Sequence, residues 1–174
     1  MNILLTGGSA CGKSAFAESL CEHLPMPRYY YIATMRPYDD ECLSKIARHR
    51  EQRKEKGFIT IEQHTDLSSI MFPQRGTALL ECMCNLTANE MFAVNGEILD
   101  VHDKILKSVF DLAEKCDNLI VVTNDVGSDA ISYDESTAGY IEMLGRLNRE
   151  IASGFDCVCE LVCGIPLTIK GELP

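Results

Sequence analysis

One segment constrains the chain more than any other: Gly7-Gly8-Ser9-Ala10-Cys11-Gly12-Lys13-Ser14. It matches G-x-x-x-x-G-K-[ST], in which a glycine-rich turn joins a strand to a helix. The flanks agree. Residues 2–6 (NILLT) are strand-like, and a helical pattern covers about residues 13–24, with Phe16, Ala17 and Leu20 on one face. Glycine allows the turn and lets backbone N–H groups close around phosphate oxygens. The helix start adds partial positive charge. Lys13 is expected to reach the β- and γ-phosphates, and Ser14 to offer its hydroxyl to Mg²⁺. Residues 7–14 thus imply a nucleoside triphosphate ligand and a phosphoryl- or nucleotidyl-transfer reaction.

The rest of the chain alternates strand-like and helical patterns, which predicts an α/β fold with a mostly parallel sheet flanked by helices. Its 174 residues suit a single domain spanning 1–174. Strands are expected at residues 29–34 (YYYIAT), 58–62, 78–82 (ALLEC), 118–123 (NLIVVT), 157–163 and 167–170. Helices are expected from Asp39 or Asp40 to Lys56, and over residues 84–92, 98–116 and 135–153. Residues 124–133 read as a polar loop.

A formal net charge of −10 disfavours nucleic acid and anionic membrane partners, so a phosphate ligand needs a local positive site. Residues 48–56 (RHREQRKEK) form a basic island, read either as a solvated helix face or as a positive rim beside the phosphates. No apolar run approaches a membrane span, and the N-terminus lacks the pattern of a signal peptide, so a cytoplasmic location is expected. The nine cysteines show no C-x-x-C spacing. Cys157, Cys159 and Cys163 are expected on one buried strand face. Cys11, at a helix start, is expected to be oxidant-sensitive rather than catalytic.

A phosphate loop wants an acid at the end of a nearby strand to hold the metal. Glu81, closing ALLEC, is that candidate, although a strand-end acid can equally be the first solvated residue. Asp125 in the loop after NLIVVT is a second metal or substrate candidate, because ligands of open α/β sheets lie at the carboxyl ends of strands. Cys42, Ile46, His49 and Arg53 share one helical stripe. His49 is flanked by Arg48 and Arg50, which favour a neutral, nucleophilic imidazole and attract a triphosphate. Taken alone, a surface histidine accounts for this setting as well.

The chain resembles the bifunctional adenosylcobinamide kinase/adenosylcobinamide-phosphate guanylyltransferases of cobalamin biosynthesis. The resemblance is collinear over nearly the whole chain. It is carried by ILLTGGSACGKS with Ala17-Glu18, YIAT with Asp40-Glu41, KIARHREQR followed by ITIE, LLEC with Asn89, VVTNDVG, GRLNREIA and VCGIPLTIKG. It implies a RecA-like P-loop fold and two steps. A nucleoside triphosphate (ATP or GTP) first phosphorylates the aminopropanol hydroxyl of cobinamide, and GTP then donates GMP to that phosphate through a histidine–GMP intermediate. By resemblance His49 is that histidine, Glu62 and Glu81 join residues 7–14 at the nucleotides, Ser14 and Glu81 hold Mg²⁺, and the assembly is a homotrimer.

The chain also departs from the family. Relatives usually read G-I-V-P and later R-x-F-R-D after the VVTNDVG loop; here Ala130-Ile131-Ser132-Tyr133 and Ala138-Gly139-Tyr140-Ile141-Glu142 correspond, so two arginines are missing. Phe58 stands where tryptophan is common. The alternatives are a P-loop kinase of another small hydroxylated metabolite, and a nucleotide-binding regulator that transfers nothing.

Overall fold

In the computed structural model the strand entering the phosphate loop is β1 (Asn2–Gly7), and the turn delivers the chain into α1 (Lys13–His23). The structure describes every residue except 25–26, 39–42, 45, 48–49, 52–53, 55, 93–95 and 128–130. The expected helix from Asp39 or Asp40 to Lys56, with Arg48 and His49, therefore lies largely outside the described residues, as does Ala130. The remaining elements are β2 (Tyr29–Ala33), β3 (Phe58–Glu62), a 3₁₀ turn at Leu67–Ser69, β4 (Thr77–Glu81), α2 (Met83–Met91), α3 (His102–Lys115), β5 (Asn118–Val122), α4 (Glu135–Gly154), β6 (Cys157–Val162) and β7 (Ile165–Lys170).

All seven strands join one sheet in the order β3-β2-β4-β5-β1-β6-β7. Every pairing is parallel except β6 with β7. Side chains alternate between faces, so the inner strands feed two cores. Leu4, Tyr30, Ile32, Leu80 and Val121 face α2, α3 and α4. Ile3, Leu5, Tyr31, Leu79, Ile120 and Val122 face α1, where Ala17, Leu20 and Cys21 meet them. β5 is buried at every residue, as an apolar run in the middle of a parallel sheet must be.

Two expectations are corrected. The helix expected from residue 98 begins only at His102. Ile98 instead bridges Phe92, the Leu99 amide donates to the Met91 carbonyl at 2.9 Å, and the Asp100 carboxylate accepts the His102 amide at 3.3 Å. Periodicity alone did not register this Asp-led start. Cys163 does not share the face of Cys157 and Cys159. It falls in the β6–β7 turn with φ +53° and is exposed, while the other two are fully buried.

Register decides what the strand ends present. Glu62 pairs with Ala33, Ala33 with Glu81, Glu81 with Val122 and Val122 with Leu5. Both acids thus lie in one transverse row on the α1 side of the sheet, with only a methyl group between them. At a strand spacing of about 4.8 Å their Cα atoms stand ~10 Å apart. Lys170 fixes the far edge: its ammonium donates to the carbonyls of Ala152, Ser153 and Phe155 at 3.0, 2.8 and 2.6 Å, capping the C-terminus of α4.

Candidate active site

The phosphate loop closes tightly on the sheet. Gly7 has φ +139°, and a Cβ there would lie 2.5 Å from the Leu161 carbonyl oxygen, so only glycine fits between β1 and β6. Gly12, with φ +98°, precedes α1. Gly164, in the β6–β7 turn, packs beside Gly12 and the Cys11 carbonyl, which explains why the VCGIP segment belongs to the site. Lys13 is buried, and its ammonium donates to the carbonyls of Gly7 and Gly8 at 2.8 and 2.6 Å, with Cys11 Sγ at 3.6 Å.

Ser14 donates its hydroxyl directly to Glu81 Oε1. The two expected metal ligands, 67 residues apart, therefore meet at one point beside the loop. A hydroxyl and a carboxylate in contact are hard oxygen donors, which fits Mg²⁺. Asp125 lies beside the loop. Its backbone amide donates to the Gly7 carbonyl at 3.2 Å, its side chain is exposed, and its neighbour Asn124 lines the cleft.

The cleft has two lobes. One, of about 650 Å³, is lined by residues 9–15 with Glu81, Cys82, Cys84 and Asn124. The other, of about 260 Å³, lies over the ends of β2, β3 and β4 and is lined by Ala33, Arg50, Glu62, His64, Leu43 and Ile46 among others. Met35, Glu81, Cys82 and Asn85 line both. Arg50 forms an ion pair with Glu62, so Glu62 stands in the second lobe and not at the phosphate loop. Lys56 donates to the buried Glu18 of α1 at 2.6 Å. The described part of the basic island is thus both a lobe wall and a tie to α1. His49, the residue before Arg50, lies outside the described residues.

The residues that hold these walls together lie in segments that carry the resemblance, but their partners could not be read from it. Thr34 Oγ1 donates to the Cys82 carbonyl at 2.9 Å and accepts the Cys82 amide at 2.7 Å. Asn89 Nδ2 donates to the carbonyls of Thr34 and His64 at 2.8 and 3.0 Å, tying the exits of β2 and β3 together. Thr123 donates to Asn148 Oδ1 at 2.9 Å, which joins the VVTNDVG and GRLN segments. His64 carried no signal beyond its place two residues past a strand end. Cys84 faces the Cys82 thiol and the Asn124 amide, which pull its pKa below the usual thiol value, while the Tyr140 hydroxyl beside it donates to the Cys84 carbonyl at 3.2 Å.

This architecture is that of a P-loop nucleotide-binding protein. Two solved structures share it: the flagellar accessory protein FlaH from Methanocaldococcus jannaschii (TM-score 0.52, 12% identity, 98% of this chain and 78% of that one) and an ATPase from a type III secretion system of pathogenic bacteria (0.54, 10%, 92% and 51%). At that identity they speak to the fold alone. Residues 3–169 match the model of the CobU family, described as cobinamide kinase / cobinamide phosphate guanyltransferase, and the chain belongs to that family. It is 30% identical to the bifunctional adenosylcobalamin biosynthesis protein CobU of Salmonella typhimurium (98% of this chain, 100% of that protein). It is 28% identical to the protein of that name from Escherichia coli (98% and 100%) and to CobP of Pseudomonas aeruginosa (99% and 99%). The chain is thus a transferase of the cobalamin-biosynthetic family. No helix among the described residues is long and apolar enough to cross a membrane.

Proposed function

We propose that this chain carries out both steps of its family: phosphorylation of the aminopropanol hydroxyl of cobinamide by ATP or GTP, then transfer of GMP from GTP to that phosphate. The observation that supports the reading most is the shared wall at Glu81, Cys82 and Asn85, with a phosphate loop on one side and the Arg50–Glu62 pair on the other. Each lobe receives one kind of transfer, and the corrinoid phosphate made beside the first lies next to the second.

In the first step the loop amides and Lys13 bind the triphosphate and hold it in line with the acceptor hydroxyl. Phosphoryl transfer needs this positioning and charge stabilisation more than covalent help. Ser14 and Glu81 would hold Mg²⁺, which when bound neutralises charge on the phosphate oxygens. In the second step His49 attacks the α-phosphorus of GTP, forming an N–P bond as pyrophosphate leaves. A cobinamide phosphate oxygen then attacks the same phosphorus and the N–P bond breaks. The relay separates two anionic reactants that would repel in a direct transfer. Arg50 and Glu62 orient the nucleotide there.

The test is incubation with Mg²⁺ and GTP labelled in the α-phosphate. Wild type acquires an acid-labile, alkali-stable label and His49→Ala does not. An unlabelled wild type would overturn the guanylyl step and leave a kinase.

The same reading includes a homotrimer. It is supported by edge strand β7, where Ile165, Leu167 and Ile169 alternate on one side and are 63, 48 and 63% exposed. Sedimentation velocity should show a trimer that Leu167→Asp dissociates; a monomeric wild type contradicts it.

A further inference from the structure

Two cysteines that neither step uses stand where the lobes meet. Cys82 is the N-cap of α2, and Cys84 is the second residue of that helix. With the intervening Met83 helical, their Cα atoms lie roughly 5.4 Å apart by helix geometry. That falls within the ~4.4–6.8 Å a disulfide spans. The two thiols interact electrostatically across this short span, and Asn85 Nδ2 donates to Cys82 Sγ at 3.4 Å. Both thiols line the phosphate lobe together with Lys13 and Ser14. Cys21, Cys116, Cys157 and Cys159 are instead buried in the hydrophobic cores; Cys11 lines the same lobe but lies against the Lys13 ammonium at 3.6 Å, with no second thiol beside it among the described residues.

We propose that Cys82 and Cys84 form a redox-active dithiol that hydroperoxides close to a disulfide, weakening nucleotide binding in the phosphate lobe. Cys84 is the attacking sulfur. The Cys82 thiol and the Asn124 amide face it as donors, so its thiolate is stabilised. It attacks the terminal peroxide oxygen, the O–O bond breaks, the sulfur is oxidised to a sulfenic acid and the other oxygen takes a proton from solvent and leaves as water (as the alcohol, from an organic hydroperoxide). The Cys82 sulfur then attacks the sulfenic sulfur. The S–S bond forms, the S–O bond breaks, and the departing hydroxyl takes the Cys82 proton to leave as a second water. Closing the sulfurs to about 2.0 Å draws Cys84 from the Asn124 amide and Cys82 from Asn85. Asn124 adjoins Asp125, whose amide is bonded to Gly7 of the phosphate loop, so the closure reaches the nucleotide.

The experiment treats the full chain with hydrogen peroxide, alkylates remaining thiols and maps them by peptide mass. The peptide holding Cys82 and Cys84 should lose the mass of two hydrogen atoms and regain it with dithiothreitol. MgATP affinity should fall on the order of tenfold, a typical coupling between linked sites, and recover on reduction. Cys82→Ser should stop at a sulfenic acid on Cys84, trapped by dimedone. Two features would overturn the proposal: both thiols remaining alkylatable after peroxide, or a disulfide that leaves MgATP affinity unchanged. None of these readouts uses GTP labelling, so failure here is distinct from failure of the guanylyl step.

Discussion

The two lobes of the cleft are built by opposite means. The phosphate lobe is mainly backbone: residues 7–14 form one continuous turn, pinned by glycine at Gly7 and Gly12 and by Lys13 on the Gly7 and Gly8 carbonyls. The second lobe is mainly side chain, assembled from the ends of β2, β3 and β4 with Arg50 drawn in from outside the sheet. A backbone-built site recognises a charge pattern that every triphosphate carries. A side-chain-built site can be retuned one residue at a time. On the proposed function, the difference teaches where specificity resides: the first lobe would make the molecule a nucleotide enzyme, and the second would decide which chemistry follows.

The largest break in that contrast comes from Lys13→Ala. It removes the one buried cation of the phosphate lobe among the described residues and takes the ammonium from the Gly7 and Gly8 carbonyls, leaving Gly7 the Asp125 amide. Truncating one partner of a buried charged pair costs about 3 kcal/mol, so MgATP affinity should fall on the order of a hundredfold. Isothermal titration reads this, and near-wild-type affinity would remove residues 7–14 from the site. Glu62→Gln has a smaller and more selective effect. The Arg50–Glu62 pair is half-exposed, so stability should change by less than about 1 kcal/mol. Histidine guanylylation should slow by about tenfold as Arg50 loses its anchor, a loss near 1.4 kcal/mol in the barrier, while MgATP affinity stays unchanged. Equal losses in both measurements would mean that the lobes are not separable.

The same contrast explains what could be read in advance. The phosphate loop was legible because its residues are contiguous and each position has one physical task. The strands were legible because buried parallel strands are apolar runs, as in β5. Glu81 could be named but not placed: its contact with Ser14 follows from the order β4-β5-β1 and the register Glu81–Val122–Leu5, which no local pattern encodes. Glu62 needed the family resemblance, and its pairing with Arg50 was not apparent even then. Thr34 and Asn89 fell within segments that carry the resemblance, but their ties were not legible because their partners are 48 and 55 residues away in sequence. The expected common face of Cys157, Cys159 and Cys163 failed for a physical reason: even spacing defines a face only while the strand continues, and β6 ends at Val162.

The smallest effect tests whether the loop after β5 is held by the helix that follows it. Thr123 is fully buried and donates to Asn148 Oδ1 at 2.9 Å; Asn148 is half-buried on α4. Asn148→Ala removes that acceptor, and an unsatisfied buried hydroxyl costs ~1–3 kcal/mol. The Thr123 hydroxyl also faces Cys84 and can turn to that sulfur, which places the expected loss at the low end, about 1 kcal/mol. For a chain of this length that is roughly 2–4 °C in Tm. Asn148→Asp keeps an oxygen in the same position and should recover most of the loss, whereas a packing role would be served equally by leucine. If Asn148→Leu melts with wild type and Asn148→Asp does not, the GRLN segment fills space against β5. The opposite order establishes that the Thr123–Asn148 hydrogen bond carries the link from α4 through Asn124 and Asp125 to the phosphate loop.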